Sequence, residues 1–282
     1  MNRKTDSLIF IDGADPVETA KAKELMGFID GQTTNPSLVS KNPLIAQRLK
    51  EGNKFTEEEL LAEYKKIVQE VAKTTSGPTS IEVYADQTTK AEEMIKQARE
   101  MTTWIPNAYI KLPIIPEGLK AAQVLCHEMK LNMTLCFSQE QGAAVYAATI
   151  GAAYPPFISP FVGRLDDKGV NGMDLVANLL SLYEAGDGHV RVLTASVRNL
   201  NHFLYALKLK SPAITVPFKV FQEWAQKGFQ IPTLAFVYDV PSLLEIPYQQ
   251  LPLDNEWSSY NIKHELTDIG VVKFAEDWKR LL

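Results

Sequence analysis

Eight short strand-like runs recur along the 282-residue chain, and helical periodicity fills the gaps between them. The runs are Leu8–Asp12, Ile29–Asn35, Thr79–Tyr84, Ala108–Pro113, Asn132–Phe137, Phe157–Val162, Val190–Ser196 and Ala213–Pro217. Leu60, Leu61, Tyr64, Ile67, Val68 and Val71 share one helical face, as do Ala91, Met94, Ile95, Ala98 and Met101, and later Leu200, Phe203, Leu204 and Leu207. Regular alternation of strand and helix implies parallel strands joined by right-handed crossovers. Eight units predict an α/β chain closed into a (β/α)8 TIM barrel, for which ~250 residues is typical, although an open doubly wound sheet shares the pattern. The expected organisation is one domain over residues 1–282, with the barrel over about 7–220 and a C-terminal helical extension over about 221–282.

Two segments exceed what the alternation needs. The stretch from Asn42 to Thr75 is longer than a minimal crossover and predicts an extra helix after the second strand. Ile231 to Lys263 contains prolines and reads as a surface excursion, after which helical spacing resumes over Thr267–Leu282 through Ile269, Val272, Phe274, Trp278 and Leu281.

Composition removes several function classes. Hydrophobic residues make up 45% and charged residues 22%, enough apolar material for a large core. A net charge of -5 provides no global positive field, so neither nucleic acid nor a membrane surface is expected as a partner. Cys126 and Cys136 lack paired spacing, and His127, His189, His202 and His264 are scattered, so no metal site is expected. The apolar run Leu8–Ile11 is too short for a signal-peptide core, and no run approaches the ~18 residues of a membrane span. The cytoplasm is the expected location.

Side chains on a strand alternate faces, and barrel chemistry collects at the inward positions near the strands' C-terminal ends. Lys111 lies opposite Ile110 and Leu112; Asp12 opposite Ile9 and Ile11; Glu82 opposite Ile81 and Val83. Thr134 opposes Met133, Leu135 and Phe137, while Ser159 and Phe161 oppose Ile158 and Val162. Thr33 and Asn35 share one parity in the second run; the seventh is less clean, because Val190, Val192, Thr194 and Ser196 share theirs. Each residue alone has an ordinary explanation. Lys111 could snorkel from an edge strand, Asp12 and Glu82 could be solvated or paired, and Asn35-Pro36 is a turn with a helix cap. Convergence at matching strand depths changes the balance, since each unpaired polar group buried to no purpose costs roughly 1–3 kcal/mol, and charges cost more.

The set suits carbonyl chemistry. A lysine among apolar neighbours loses solvation of its ammonium form and presents more free amine to a carbonyl. The iminium that forms allows an adjacent C–C bond to break, and a carboxylate such as Asp12 suits the base for the departing hydroxyl proton. Glu82 and Thr134 could hold the water that iminium formation and hydrolysis exchange; Asn35 and Ser159 could bond substrate hydroxyls. Arg164 and Arg198 follow the sixth and seventh runs and, with Ser196, make a candidate phosphate clamp, the alternative being surface pairing with Asp166, Asp167 or Asp174.

Five segments, in order, resemble the motifs of the transaldolase family: Asp30-Gly31-Gln32-Thr33-Thr34-Asn35-Pro36-Ser37; Ile110-Lys111-Leu112-Pro113 with Glu117-Gly118-Leu119; Asn132-Met133-Thr134-Leu135-Cys136-Phe137-Ser138; Ser159-Pro160-Phe161-Val162-Gly163-Arg164; and Ala195-Ser196-Val197-Arg198-Asn199. The resemblance runs from Asp12 to about Lys219 and resumes over Leu266–Trp278. It implies a cofactor-free, metal-free transfer of a dihydroxyacetone unit within the pentose phosphate pathway. Fructose 6-phosphate or sedoheptulose 7-phosphate would be the donor, and erythrose 4-phosphate or glyceraldehyde 3-phosphate the acceptor. By resemblance, Lys111 forms the Schiff base, Asp12 is the acid/base, and Glu82 and Thr134 hold the water. Thr33, Asn35 and Ser159 line the dihydroxyacetone unit, while Arg164, Ser196 and Arg198 bind phosphate. A sister branch, which cleaves fructose 6-phosphate outright, carries Gln where this chain has Glu82 and Tyr where it has Phe161, so the chain looks like the transferase branch. The rival readings are a Schiff-base lyase on the same scaffold and a catalytically silent sugar-phosphate-binding protein. The Ile231–Lys263 stretch matches no part of the pattern and leaves acceptor preference and a possible homo-oligomer open.

Overall fold

A computed structural model describes residues 5–233, 235–240 and 242–282. Eight parallel strands close into a barrel in sequence order: β1 Leu8–Asp12, β2 Gly31–Thr33, β3 Thr79–Glu82, β4 Ala108–Pro113, β5 Leu131–Cys136, β6 Phe157–Pro160, β7 Arg191–Thr194 and β8 Ala213–Val216. Closure is completed by β1 pairing with both β2 and β8. The open-sheet alternative is thereby excluded.

Twelve α-helices lie among the described residues. In chain order they are α1 Pro16–Met26, α2 Pro36–Val39, α3 Pro43–Lys50, α4 Glu57–Thr74, α5 Ala91–Met101, α6 Pro116–Leu125, α7 Gln139–Ala148, α8 Val162–Asp166, α9 Gly172–Glu184, α10 Leu200–Lys208, α11 Phe218–Gln226 and α12 Glu265–Lys279. Their starts follow local chemistry. Proline opens α1, α2, α3 and α6, where a missing N–H costs nothing. Thr56 and Glu59 form a reciprocal capping box at α4. The extra helix expected within Asn42–Thr75 is α3, ahead of α4, and a further short helix, α2, precedes that segment; the Asn35-Pro36 and Asn42-Pro43 pairs each cap and start a helix. Asn35 therefore lies beyond β2, not on it, and its Oδ1 accepts from the Leu38 N–H at 2.9 Å.

The barrel interior is layered. Its floor is apolar: Phe10, Phe157, Leu193 and Ala213 are wholly buried, with Leu8 and Tyr109 against them. Gly31 makes room for this floor, since a Cβ there would sit 2.7 Å from the Phe10 ring. The layers above are polar. Asn132 donates to Ser80 Oγ at 3.0 Å and accepts from Ser159 Oγ at 2.7 Å. Strand β5 breaks strict alternation: Met133 pairs with Ile158 and Cys136 with Pro160, so Thr134 and Leu135 together oppose Ser159 in a bulge. Leu135 sits there at φ 63°, a conformation costly for a branched side chain.

The Ile231–Lys263 stretch runs over the surface as expected, but it is tied down. Leu244 exchanges backbone hydrogen bonds with Gly169 and Asn171. Gln139 and Asn178 donate to the Pro247 and Ile246 carbonyls, and the Tyr238 ring stacks on Tyr205 with centroids 4.3 Å apart. Leu234 and Pro241 of this stretch lie outside the described residues. The strap leads into α12, which lies over the C-terminal mouth of the barrel. There Phe274, Trp278 and Leu281 are buried as the spacing predicts, but Ile269 and Val272 are exposed and Val271, Gly270 and Ala275 are buried instead. A helix covering a barrel mouth is polar where it faces a cavity, so the apolar count alone misassigns its inner face. No helix among the described residues is long and apolar enough to cross a membrane.

Candidate active site

Lys111 projects inward from β4, and its ammonium nitrogen lies 3.0 Å from Glu82 Oε2 on the neighbouring β3. Both side chains are almost wholly buried. The lysine also donates to the Thr34 carbonyl at 3.3 Å. Edge-strand snorkelling is thus excluded: a closed barrel has no edge, and this amine points into it.

Asp12 ends β1 and accepts a hydrogen bond from Thr33 Oγ1 at 2.7 Å, and the Thr33 hydroxyl in turn meets that of Thr215 on β8 at 2.6 Å. Burial pushes the Asp12 carboxyl above the usual carboxylate range, with the nearby Lys111 charge and the Thr33 hydrogen bond opposing it. Burial likewise raises Glu82, against the pull of Lys111. Both carboxyls are thereby poised to exchange a proton nearer neutrality than free side chains do. The Thr134 hydroxyl is buried without a hydrogen-bond partner among the described residues.

A cavity of about 530 Å³ opens above these groups. Nine of the eleven sequence-predicted site residues line it: Asp12, Thr33, Asn35, Lys111, Ser159, Phe161, Arg164, Ser196 and Arg198. Glu82 and Thr134 do not. Glu82 joins the set through Lys111; Thr134 lies on β5 opposite Pro113, two residues beyond Lys111 on β4.

At the rim, the Arg164 guanidinium lies between the Phe161 and Phe274 rings, 5.1 and 5.2 Å from their centroids, and burial lowers its proton affinity. The same rings flank the Lys111 nitrogen at 5.8 and 5.9 Å. Arg198 is half exposed and pairs with Asp167 at 2.8 Å, so the surface pairing and the cavity lining coexist. Gly163 lets the two arginine-bearing loops approach, because a Cβ there would fall 2.4 Å from both Ser196 O and Arg198 Cγ. Ser196 takes the left-handed conformation, φ 58°, beyond the end of β7, so its strand parity says nothing of where its hydroxyl goes.

Several residues escaped the strand-parity reading. Tyr64 on α4 looks like a core aromatic, yet its hydroxyl accepts from the Glu82 N–H at 2.9 Å and meets Thr34 Oγ1 at 2.6 Å, fixing the ends of β2 and β3. A buried tyrosine needs a partner for its hydroxyl, which was the available signal. Thr215 was legible from its parity with Ala213. Phe274, Lys273, Asp277 and Arg280 reach the cavity from α12, about 160 residues beyond Lys111, and no local pattern announces that. Ser37 donates a short hydrogen bond to Asp277, which also pairs with Lys273 and Arg280, closing α12 onto α2. No group of three or more His, Cys, Asp or Glu side chains among the described residues is arranged to hold a metal ion.

Comparison with known proteins finds one family matching nearly the whole length of the chain. The chain is 37% identical over 273 residues to a protein named probable transaldolase from Anaeromyxobacter sp. (strain Fw109-5), covering 96% of this chain and 97% of that one. It is 35% identical over 272 residues to one from Thermoanaerobacter sp. (strain X514), covering 96% of each. It is 34% identical over 274 residues to one from Leptospira biflexa, covering 97% and 98%. The sequence profile described as Transaldolase/Fructose-6-phosphate aldolase matches residues 9–282. The chain belongs to the transaldolase/fructose-6-phosphate aldolase family of enzymes.

Proposed function

We propose that this chain is a cytoplasmic transaldolase that transfers a dihydroxyacetone unit from a ketose phosphate to an aldose phosphate through a Schiff base on Lys111. One observation carries the reading: a buried amine, 3.0 Å from a buried carboxylate, faces a cavity whose far rim holds Arg164, Ser196 and Arg198. The phosphate of fructose 6-phosphate or sedoheptulose 7-phosphate would sit among those three, placing the ketose carbonyl toward Lys111. The amine adds to the carbonyl carbon, and loss of water gives the iminium. Asp12 takes the proton of the hydroxyl whose carbon departs, and the C–C electron pair moves into the enamine. Erythrose 4-phosphate or glyceraldehyde 3-phosphate then accepts the enamine carbon, and hydrolysis frees Lys111. Glu82 and Thr134 hold the water lost and regained, Thr33, Asn35 and Ser159 line the three-carbon unit, and Phe161 walls it. Neither a cofactor nor a metal enters the scheme.

Borohydride reduction in the presence of fructose 6-phosphate, followed by peptide mass mapping, tests it. A dihydroxyacetone-sized adduct on Lys111 is expected; an adduct on another lysine, or none, would refute the mechanism. Substantial release of free dihydroxyacetone without an acceptor would overturn transfer in favour of lysis.

A further inference from the structure

Helix α12 divides the barrel mouth. On one side Lys273, Asp277 and Arg280 line the large cavity that holds Lys111. On the other, Trp278, Lys279 and the chain's last residue, Leu282, line a second cavity of about 350 Å³, walled also by Leu61, Met101 and Trp104 from α4, α5 and the turn after it. Phe274 lies on the divide, touching both the large cavity and a crevice of about 10 Å³ that runs under Val271 and Ala275, with room on the order of one water molecule. Glu82, Pro36 and Tyr84 bound both the crevice and the second cavity. Of these three spaces, Lys111 lines the large cavity, and Glu82 lines the crevice and the second cavity. The ion pair therefore straddles the divide.

The two sides carry opposite charge. Lys41, Lys111, Arg164, Arg198, Lys273 and Arg280 face the large cavity against Asp12 and Asp277. The second cavity has Glu57, Glu82 and Glu100, with Lys279 already paired to Asp86 at 3.1 Å. A phosphorylated sugar is drawn to the first and repelled by the second, whereas water is indifferent to the sign. Glu57 and Glu100 are exposed at the outer rim; Tyr84 and Glu82 lie inside it. Polar groups thus meet water at both ends, and apolar walls between them hold it weakly.

We infer that α12 splits the mouth into a cationic port for the phosphosugar and an acidic, aromatic-walled port through which water reaches and leaves Glu82. This rests on the Schiff-base reading above. Dehydration of the carbinolamine breaks the C–O bond as the nitrogen lone pair forms C=N, and the oxygen leaves as water with a proton from the Glu82 carboxyl. Hydrolysis reverses this: water adds to the carbon while Glu82 takes its proton; that proton passes to nitrogen, and the C–N bond then breaks as the carbinol oxygen forms C=O and returns its hydroxyl proton to Glu82. Both steps occur while the sugar fills the other port, so a separate route lets one water leave and another arrive without releasing the substrate.

Oxygen exchange reads this route directly. Fructose 6-phosphate without an acceptor, incubated with the protein in 18O-labelled water, gains label at its carbonyl carbon at each cycle of Schiff-base formation and hydrolysis. Leu61→Trp narrows the second cavity from within, and Glu100→Trp, at an exposed position, plugs its rim without disturbing the core. Each is expected to slow enzymatic labelling about tenfold while KM for fructose 6-phosphate stays unchanged. Circular dichroism checks the fold of both, and Glu100→Trp decides alone if Leu61→Trp does not fold. Labelling at the wild-type rate in the folded variants would overturn the port, even with the Lys111 adduct confirmed. A wild-type protein that neither labels the sugar nor forms the adduct would instead overturn the Schiff base itself.

Discussion

Lys111 Nζ and Glu82 Oε2 lie 3.0 Å apart on adjacent strands, in register and shut off from bulk water. Parallel pairing puts residues 82 and 111 side by side, and the barrel curvature turns both inward. A buried pair of this kind is poor evidence of stabilisation, because desolvating two charges offsets most of their attraction. Its value lies in holding an amine and a proton donor within one transfer distance.

Glu82→Gln keeps the shape and removes the proton exchange. Turnover is expected to fall by about 10²–10⁴, the usual worth of a positioned acid–base group. KM for the ketose should move little, since Glu82 does not line the sugar cavity. Steady-state kinetics reads both numbers, and an unchanged kcat would remove Glu82 from the chemistry.

The pH profile follows from the direction of the carboxyl shifts. Burial raises Asp12 above the free value of ~3.9. The carboxylate form is the base, so activity falls as pH drops through the raised value. The acid limb of kcat/KM is therefore expected above the range of a free aspartate. The linkage has the matching sign: with the folded value raised, the group's contribution to stability decreases as pH climbs from the unfolded value through the folded one. Asp12→Asn should abolish C–C cleavage but still permit a reducible adduct on Lys111; loss of the adduct too would assign Asp12 to an earlier step.

Arg164 and Arg198 should act on the phosphate and not on the carbonyl. Replacing either with Ala removes a charge-assisted hydrogen bond worth about 1.5–3 kcal/mol, or roughly 10- to 150-fold in KM for a phosphorylated donor. Unphosphorylated dihydroxyacetone as donor should show no comparable loss. Equal effects on both donors would dissolve the clamp.

Asp277 fastens α12 over the mouth. Burial raises its carboxyl, but hydrogen bonds from Lys273 and Ser37 outweigh that and hold it below the usual range. Stability from this group is present above the unfolded value and is lost as pH falls through the depressed folded value. Asp277→Asn is expected to cost about 1–2 kcal/mol at neutral pH, discounted because Lys273 is half exposed. The difference from wild type should shrink in acid. Thermal melts at two pH values test this, and a constant difference would deny the ionic fastening.

Gly270 on α12 faces both the β5 bulge and the clamp. A Cβ there would lie 2.6 Å from Leu135 Cδ2 and 2.8 Å from Arg164 Nη1. Gly270→Ala should displace α12 or the guanidinium and raise KM for phosphorylated donors, at a stability cost of about 1–3 kcal/mol. Wild-type KM would show that Arg164 gives way freely.

Much of this is legible in the sequence. The strand runs were placed within a few residues, with Ala108–Pro113 and Leu8–Asp12 matching at both ends, because a strand buried on both faces is a short apolar interval between helical patterns. Period-two parity put Asp12, Glu82, Lys111 and Thr134 on the interior. Ser196, past the end of β7, and Asn35, which caps a helix, also line the cavity, but the backbone has left the pleat there, so strand parity is not what places them. Parity also could not register the bulge at Thr134–Leu135, which exists only in relation to β6.

The order of residue types along the chain was enough to dictate eight parallel strands, their inward polar positions and the lysine among them, because periodicity and parity are properties of neighbouring residues. Tertiary structure alone decided that Glu82 meets Lys111, that Phe274 walls the same space as Phe161, and that α12 closes onto Ser37 from about 240 residues away. Those contacts depend on ring closure and on the path of the strap, and neither is written in any local stretch of sequence.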